Sequence, residues 1–138
     1  MPRPDRSLIC IVHSGDYERV RFVLATAAAA AAADRAVTLF FTMDACVALQ
    51  RDRGWHQLRS TGSDAPTADT KLRERGVGGF DELLGACREL GVTLIACEMG
   101  LRAGDLSKDQ LDPDLDVEIG GLFSLLSGDG ADAQLLFV

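Results

Sequence analysis

The stretch "FDELLGACRELGVTLIACEMG", residues 80–100, decides how the chain is read. Its first half has the spacing of an amphipathic helix. Phe80, Leu83, Leu84 and Cys87 share one face, and Gly91 supplies a stop. Val92–Ala96 is then a short apolar run, bounded by the glycine and by Cys97, and reads as a strand buried on both faces. A helix feeding directly into a buried strand is half of a βαβ unit, the unit that builds parallel sheets.

The same alternation recurs on both sides. "LICIV" (8–12) is a continuous apolar run that stops at "HSGD". In the segment that follows, Val20, Leu24, Ala27 and Ala31 fall at helical spacing, with Ser14 or Asp16 placed to cap the start. The alanine run to Ala33 is helix-favouring packing material, narrow enough to lie close on a sheet. "AVTLFFT" (36–42) is a second strand, and "MDACVALQ" opens a short helix with Asp44 as its expected N-cap.

Residues 51–78 mix charge, Gly, Ser, Thr and one Pro. They read as a long excursion with a helical turn near Leu72: a variable loop, a lid, a partner surface or a disordered stretch. Beyond Cys97, Ser107 and Gln110 have capping-box spacing, "DVEI" is a brief strand, "GGLFSLLSG" a short apolar helix and "AQLLFV" a last strand. Five strands alternating with helices predict one α/β domain over 1–138, with a mostly parallel sheet and helices on both faces.

Composition narrows the function. With 14 basic and 21 acidic residues the net charge is −7, which argues against a nucleic-acid backbone or an anionic membrane as the main partner. The longest apolar stretch, Phe22 to Ala33, is too short for the roughly 20 residues a membrane span needs. The opening "MPRPDRSLICIV" lacks a long apolar core followed by a small-residue cleavage site, so a cytoplasmic protein is expected. There the four cysteines are expected as thiols, and none has zinc-ligand spacing.

In open α/β sheets, ligands bind outside the carboxyl ends of the strands. Those ends read His13–Asp16, Thr42–Cys46, Cys97–Gly100 and Gly120–Gly121. Cys97 is the leading candidate for chemistry. A thiol attacks only as its thiolate, and backbone amides at the start of a following helix, with Arg102 nearby, are the means to hold that anion; Glu98 should point away. The other reading of Cys97 is the last core residue of its strand. Cys46 has the same two readings and leans to packing, while Cys10 and Cys87 sit where only packing is expected. His13 either tunes a thiol or closes a turn. Ser14 and Gly15, in "SGD", either form a small anion nest or a plain strand-to-helix turn. Trp55 and His56 stand in the excursion; covering the edge is one role open to them, with no specific signal for it. No phosphate-loop, dinucleotide or Ser-His-Asp pattern is present.

Taken in order, "SLICIVHSGDYERVRFVLATAAAAAAADRAVTLFFTMDAC", "GFDELLGACRELGVTLIACEMG", "VEIGGL" and "AQLLFV" resemble the DsrE/DsrF/DsrH-like proteins, most of all their stand-alone DsrE-like branch. The resemblance implies a DsrEFH-like three-layer α/β/α fold with a five-stranded parallel sheet. It also implies homo- or hetero-oligomers, and sulfur relayed as a cysteine persulfide between donor and acceptor proteins or thiols, with no organic cofactor and no metal. The family's reactive cysteine, just after a strand, maps onto Cys97. Supporting positions are His13, Ser14, Gly15, Asp44, Cys46, Met99 and Arg102. The chain departs from the branch in having no methionine in 51–78 and "EMGLRAG" in place of a Met-Ser-Met run. Against this sulfurtransferase-like relay stand a non-catalytic ligand-binding or assembly module of the same fold, and a thiol redox or metal site formed by Cys46, Cys97 and His13.

Overall fold

A computed structural model of the chain describes residues 6–128 and 130–138. Five strands form one all-parallel sheet: β1 (Leu8–Val12), β2 (Val37–Phe41), β3 (Thr93–Cys97), β4 (Glu118–Gly120) and β5 (Gln134–Phe137). Their spatial order is β4-β3-β2-β1-β5. The first three crossovers each step one strand in the same direction, and the last returns across the sheet to its opposite edge. Right-handed crossovers therefore place the helices of the early connections on one face and the helix of the last connection on the other.

On the first face lie α1 (Tyr17–Ala32) and α3 (Phe80–Glu89). Leu8, Cys10 and Val12 alternate inward from β1 into this core, with Leu94 and Ala96 from β3. They meet Val20, Leu24 and Ala27 of α1 and Phe80, Leu84 and Cys87 of α3. Asp16 caps α1 by accepting the Arg19 amide at 3.1 Å, and Gly91, at φ +80, makes the turn between α3 and β3. On the second face, among the described residues, only α5 (Leu122–Ser127) crosses the strands. Between β3 and β4 runs α4 (Glu98–Ala103), followed by two 3₁₀ turns at 108–110 and 113–115. The first of these carries the expected Ser107–Gln110 capping box.

Three sequence expectations need correction. The segment after β2 is a 3₁₀ helix, Met43–Leu49, and its N-cap is Thr42. Asp44 lies inside the first turn, exposed, and pairs at 3.5 Å with Arg59. The excursion 51–78 is built rather than loose. It holds a 3₁₀ turn, Gly54–Gln57, and the helix α2 (Ala65–Glu74), capped by Asp64 with Pro66 in its first turn. Trp55 does not cover the sheet's carboxyl edge. It is buried, stacked on Phe80 with ring centroids 4.9 Å apart, while its indole N–H donates to Asp81 at 2.9 Å. His56 is exposed beside it. Among the described residues no helix is long and apolar enough to cross a membrane.

Candidate functional site at the carboxyl edge of the sheet

Cys97 ends β3, pairs across the sheet with Gly120, and is the N-cap of α4, which no side chain caps. The connection after β3 steps forward to β4, and the connection after β4 crosses back over the other face. The carboxyl ends of β3 and β4 are therefore the point where the chain diverges, the place at which open α/β sheets bind ligands. Gly120 and Gly121 put no side chain there. By the two-residue alternation of a strand, Cys97 belongs with Thr93 and Ile95 on the second face, while Leu94 and Ala96 enter the first-face core.

The thiol is closed in the single chain, at 1% exposure. Glu98 points to solvent as expected, and Met99, at 58% exposure, also stands outward. Arg102 is exposed in the last turn of α4, and among the described residues it makes no ion pair. Gly100 brings α4 hard against the end of β2. A Cβ there would fall on the Met43 amide nitrogen, 2.9 Å from the Cys46 sulfur and 3.0 Å from the Thr42 Cα. Cys46 is thus locked between α4 and the 3₁₀ helix, its thiol donating to the Phe41 carbonyl at 3.5 Å.

The other expected residues gather elsewhere. His13 and Ser14 donate their amides to the Val138 carbonyl at 2.8 and 3.1 Å, and Asp16 donates to the Ser14 hydroxyl at 3.1 Å. The Tyr17 amide goes to Arg59 O at 2.7 Å. The "SGD" turn therefore spends these donors on its own fold and is not an open nest. Gly15 lets Asp44 and Arg59 close over it, since a Cβ would lie 2.8 Å from the Asp44 Cβ. His13 is exposed at the β1–β5 side, its ring 5.8 Å from that of Phe137, and β2 separates its strand from that of Cys97. Among the described residues no group of His, Cys, Asp and Glu is arranged to hold a metal ion.

Burial sets the behaviour of three thiols. It pushes Cys10, Cys46 and Cys87 each up to about 11. Cys87, like Cys46, spends its proton on a carbonyl, that of Leu24 at 3.3 Å. Tyr17 is raised as well, first by burial and then by its hydrogen bond to Asp69. An unfolded thiol titrates near 8.5. Between that value and about 11 the folded chain holds protons that the unfolded chain has lost, so stability is full below the window and falls as pH rises through it. Under reducing conditions the urea midpoint should decline from about pH 9 upward. A midpoint flat to pH 11 would contradict these three assignments.

Sequence reading passed over one buried polar centre. The Asp69 carboxylate, 4% exposed, accepts the Tyr17 hydroxyl at 2.5 Å, the Phe80 amide at 2.7 Å and the Arg73 guanidinium at 3.2 Å. It ties α2 to α1 and to the start of α3. The shallow groove above it, about 340 Å³, is lined by Arg53, Arg73, Asp69 and Asp81. Arg53 pairs with Asp81 at 2.8 Å and Arg73 with Asp69 at 3.2 Å, while Glu82, also on the lining, is in neither pair.

No curated protein matches the chain. Among solved structures, a protein of unknown function, MTH1491 from Methanobacterium thermoautotrophicum, shares the fold. Its TM-score is 0.64 at 17% identity, covering 97% of this chain and 100% of that one. The profile of the DsrE/DsrF-like family matches residues 6–127, from the start of β1 through α5, which includes the carboxyl ends of β1 to β4 and Cys97. The chain belongs to the DsrE/DsrF-like family.

Proposed function

We propose that the protein is a cytoplasmic sulfur carrier that holds sulfur as a persulfide on Cys97 and passes it between a donor and an acceptor thiol, working as an assembly of its own copies. The observation that carries this reading is the position of Cys97. It stands at the diverging carboxyl ends of β3 and β4, beside two glycines and at an uncapped helix start, while the other three thiols are packed into the body of the fold. In the loading step the Cys97 thiolate attacks a sulfane sulfur of the donor. An S–S bond forms at Cys97 Sγ, the S–S bond inside the donor breaks, and the shortened donor leaves with the electron pair. In unloading, an acceptor thiolate takes the outer sulfur and Cys97 departs as thiolate. Oxidation states balance within each exchange, and no cofactor is required. Because the thiol is covered in the single chain, each step needs its cover to open.

The test is intact-mass spectrometry after exposure to inorganic polysulfide. The wild type should gain one sulfur atom that a reductant removes, Cys97→Ser should gain none, and Cys46→Ser should still gain it. A gain that survives in Cys97→Ser would assign the sulfur elsewhere. A second reading, an assembly module without transfer chemistry, is favoured by the burial of all four thiols. It prevails if Cys97 in the native protein resists both polysulfide and a small alkylating agent.

A further inference from the structure

We propose that the groove between α2 and the start of α3 binds a small zwitterion of the α-amino acid class, its carboxylate held by Arg53 and Arg73 and its ammonium by Glu82. The inference stands on this groove and is independent of the sulfur reading.

The excursion that walls the groove is charged unlike the rest of the chain. Residues 51–78 hold six basic and four acidic side chains, whereas the whole chain holds 14 and 21. A positive segment on an acidic body is a statement about what approaches it, not about the fold.

Two arginines face the groove, and each is fixed in the same way. Arg53 donates from Nε to Asp81 Oδ2 at 2.8 Å, and the other oxygen of that carboxylate takes the Trp55 indole N–H at 2.9 Å. Arg73 donates from Nε to Asp69 Oδ2 at 3.2 Å, and the other Asp69 oxygen takes the Tyr17 hydroxyl and the Phe80 amide. Each carboxylate thus orients one guanidinium through its inner nitrogen. Among the described residues no hydrogen bond takes up either outer nitrogen of Arg53, and Arg73 spends one of its two on the Thr70 hydroxyl at 3.2 Å. Guanidinium nitrogens left free in this way match the oxygens of a carboxylate. Asp52 and Arg53 are successive non-glycine residues in the left-handed region, at φ +58 and +56, a strained conformation of the kind that gathers at ligand clamps. Gly79 makes room for the second arginine. A Cβ there would lie 2.8 Å from Arg73 Cδ and 2.9 Å from Asp69 Oδ2.

Charge decides the class of ligand. With His56 neutral on the rim, two guanidinium groups stand among three carboxylates, so the lining is slightly negative and disfavours a dianion such as phosphate. Asp69 and Asp81 are each bonded to an arginine, but Glu82, exposed in the first turn of α3, is in no ion pair among the described residues. Free guanidinium nitrogens call for an anion and the free carboxylate for a cation. A molecule with a carboxylate and an ammonium on one carbon answers both, and about 340 Å³ is at the small end of ligand pockets.

Amide chemical shifts test this on the full chain, with each standard amino acid titrated in turn to tens of millimolar. At least one should move the amides of 54–57 and 78–82 in a saturable way, while acetate, methylammonium and inorganic phosphate at the same concentrations should not. Arg53→Gln and Glu82→Gln should each weaken that binding by roughly tenfold, the loss of one charge-assisted hydrogen bond. Both side chains are exposed, so far-UV circular dichroism should stay as in wild type. Arg75→Gln, exposed and outside the groove, should bind as wild type does. No saturable shift at those amides with any amino acid overturns the proposal. So does acetate or phosphate binding there as tightly as the amino acid, or binding that neither Arg53→Gln nor Glu82→Gln weakens.

Discussion

Replacing Asp69 by alanine should lower the unfolding free energy by about 3–4 kcal/mol, the largest loss expected from any single polar residue here. The cost comes from what is left behind. The Tyr17 hydroxyl and the Phe80 amide are both buried, and each would lose its acceptor with no water to replace it. Each orphaned donor costs about 1–3 kcal/mol, and the emptied volume adds to that. For a chain this size the melting temperature should drop by roughly 10 °C. Tyr17→Phe removes one partner and leaves the carboxylate two others, so about 1–2 kcal/mol is expected. Arg73→Ala should cost under about 0.5 kcal/mol, because that ion pair is half in solvent. In a double-mutant cycle, Asp69→Ala and Tyr17→Phe should be strongly non-additive, since both break the same bond. If Asp69→Ala proved neutral, α2 would be an appendage and not part of the body of the fold.

That residue also shows where sequence reading stops. Strands β1, β2 and β3 were legible because each is an apolar run closed by a glycine or a turn, and period and length alone mark it; β4, Glu118–Gly120, carries no such run. The early helices were legible from their stripes and from Asp16 and Gly91. Residues 51–78 were not, since charge and small residues there hide the cap signal of Asp64 and Pro66 and the stripe Ala65, Ala68, Leu72. Asp69 lies on that inward side, and only the tertiary partners Tyr17 and Phe80 make a buried carboxylate tolerable. Asp44 misled for a related reason. It is a good cap by type, but Gly15 closes against it and the N-cap falls two residues earlier, at Thr42. Cys97 was legible as a strand end. Its burial, at 1% exposure, was not, because it depends on tertiary packing around the strand end, where Gly100 seats α4 against Thr42 and Met43.

Gly100 therefore carries the second large expectation. Alanine at this position should destabilise the fold by about 2–3 kcal/mol, although alanine is the better helix former. The added methyl would fall on the Met43 amide nitrogen and lie 3.0 Å from the Thr42 Cα, backbone atoms at the end of β2 that cannot rotate away. The same substitution at Gly85, exposed in the middle of α3 with nothing within 4 Å of the added Cβ, should stabilise by about 0.5–1 kcal/mol. Opposite signs from one chemical change separate packing from propensity. The strain in Gly100→Ala is relieved by moving α4 away from the 3₁₀ helix, which uncovers the segment that begins at Cys97. Alkylation of Cys97, followed by intact mass on the native protein, should therefore be faster in Gly100→Ala than in wild type, and unchanged in Gly85→Ala. If Gly100→Ala were as stable as wild type and its Cys97 no more reactive, the close seat of α4 would not be what shuts the thiol in. The gate of a sulfur carrier would then have to lie on the α5 side of the sheet.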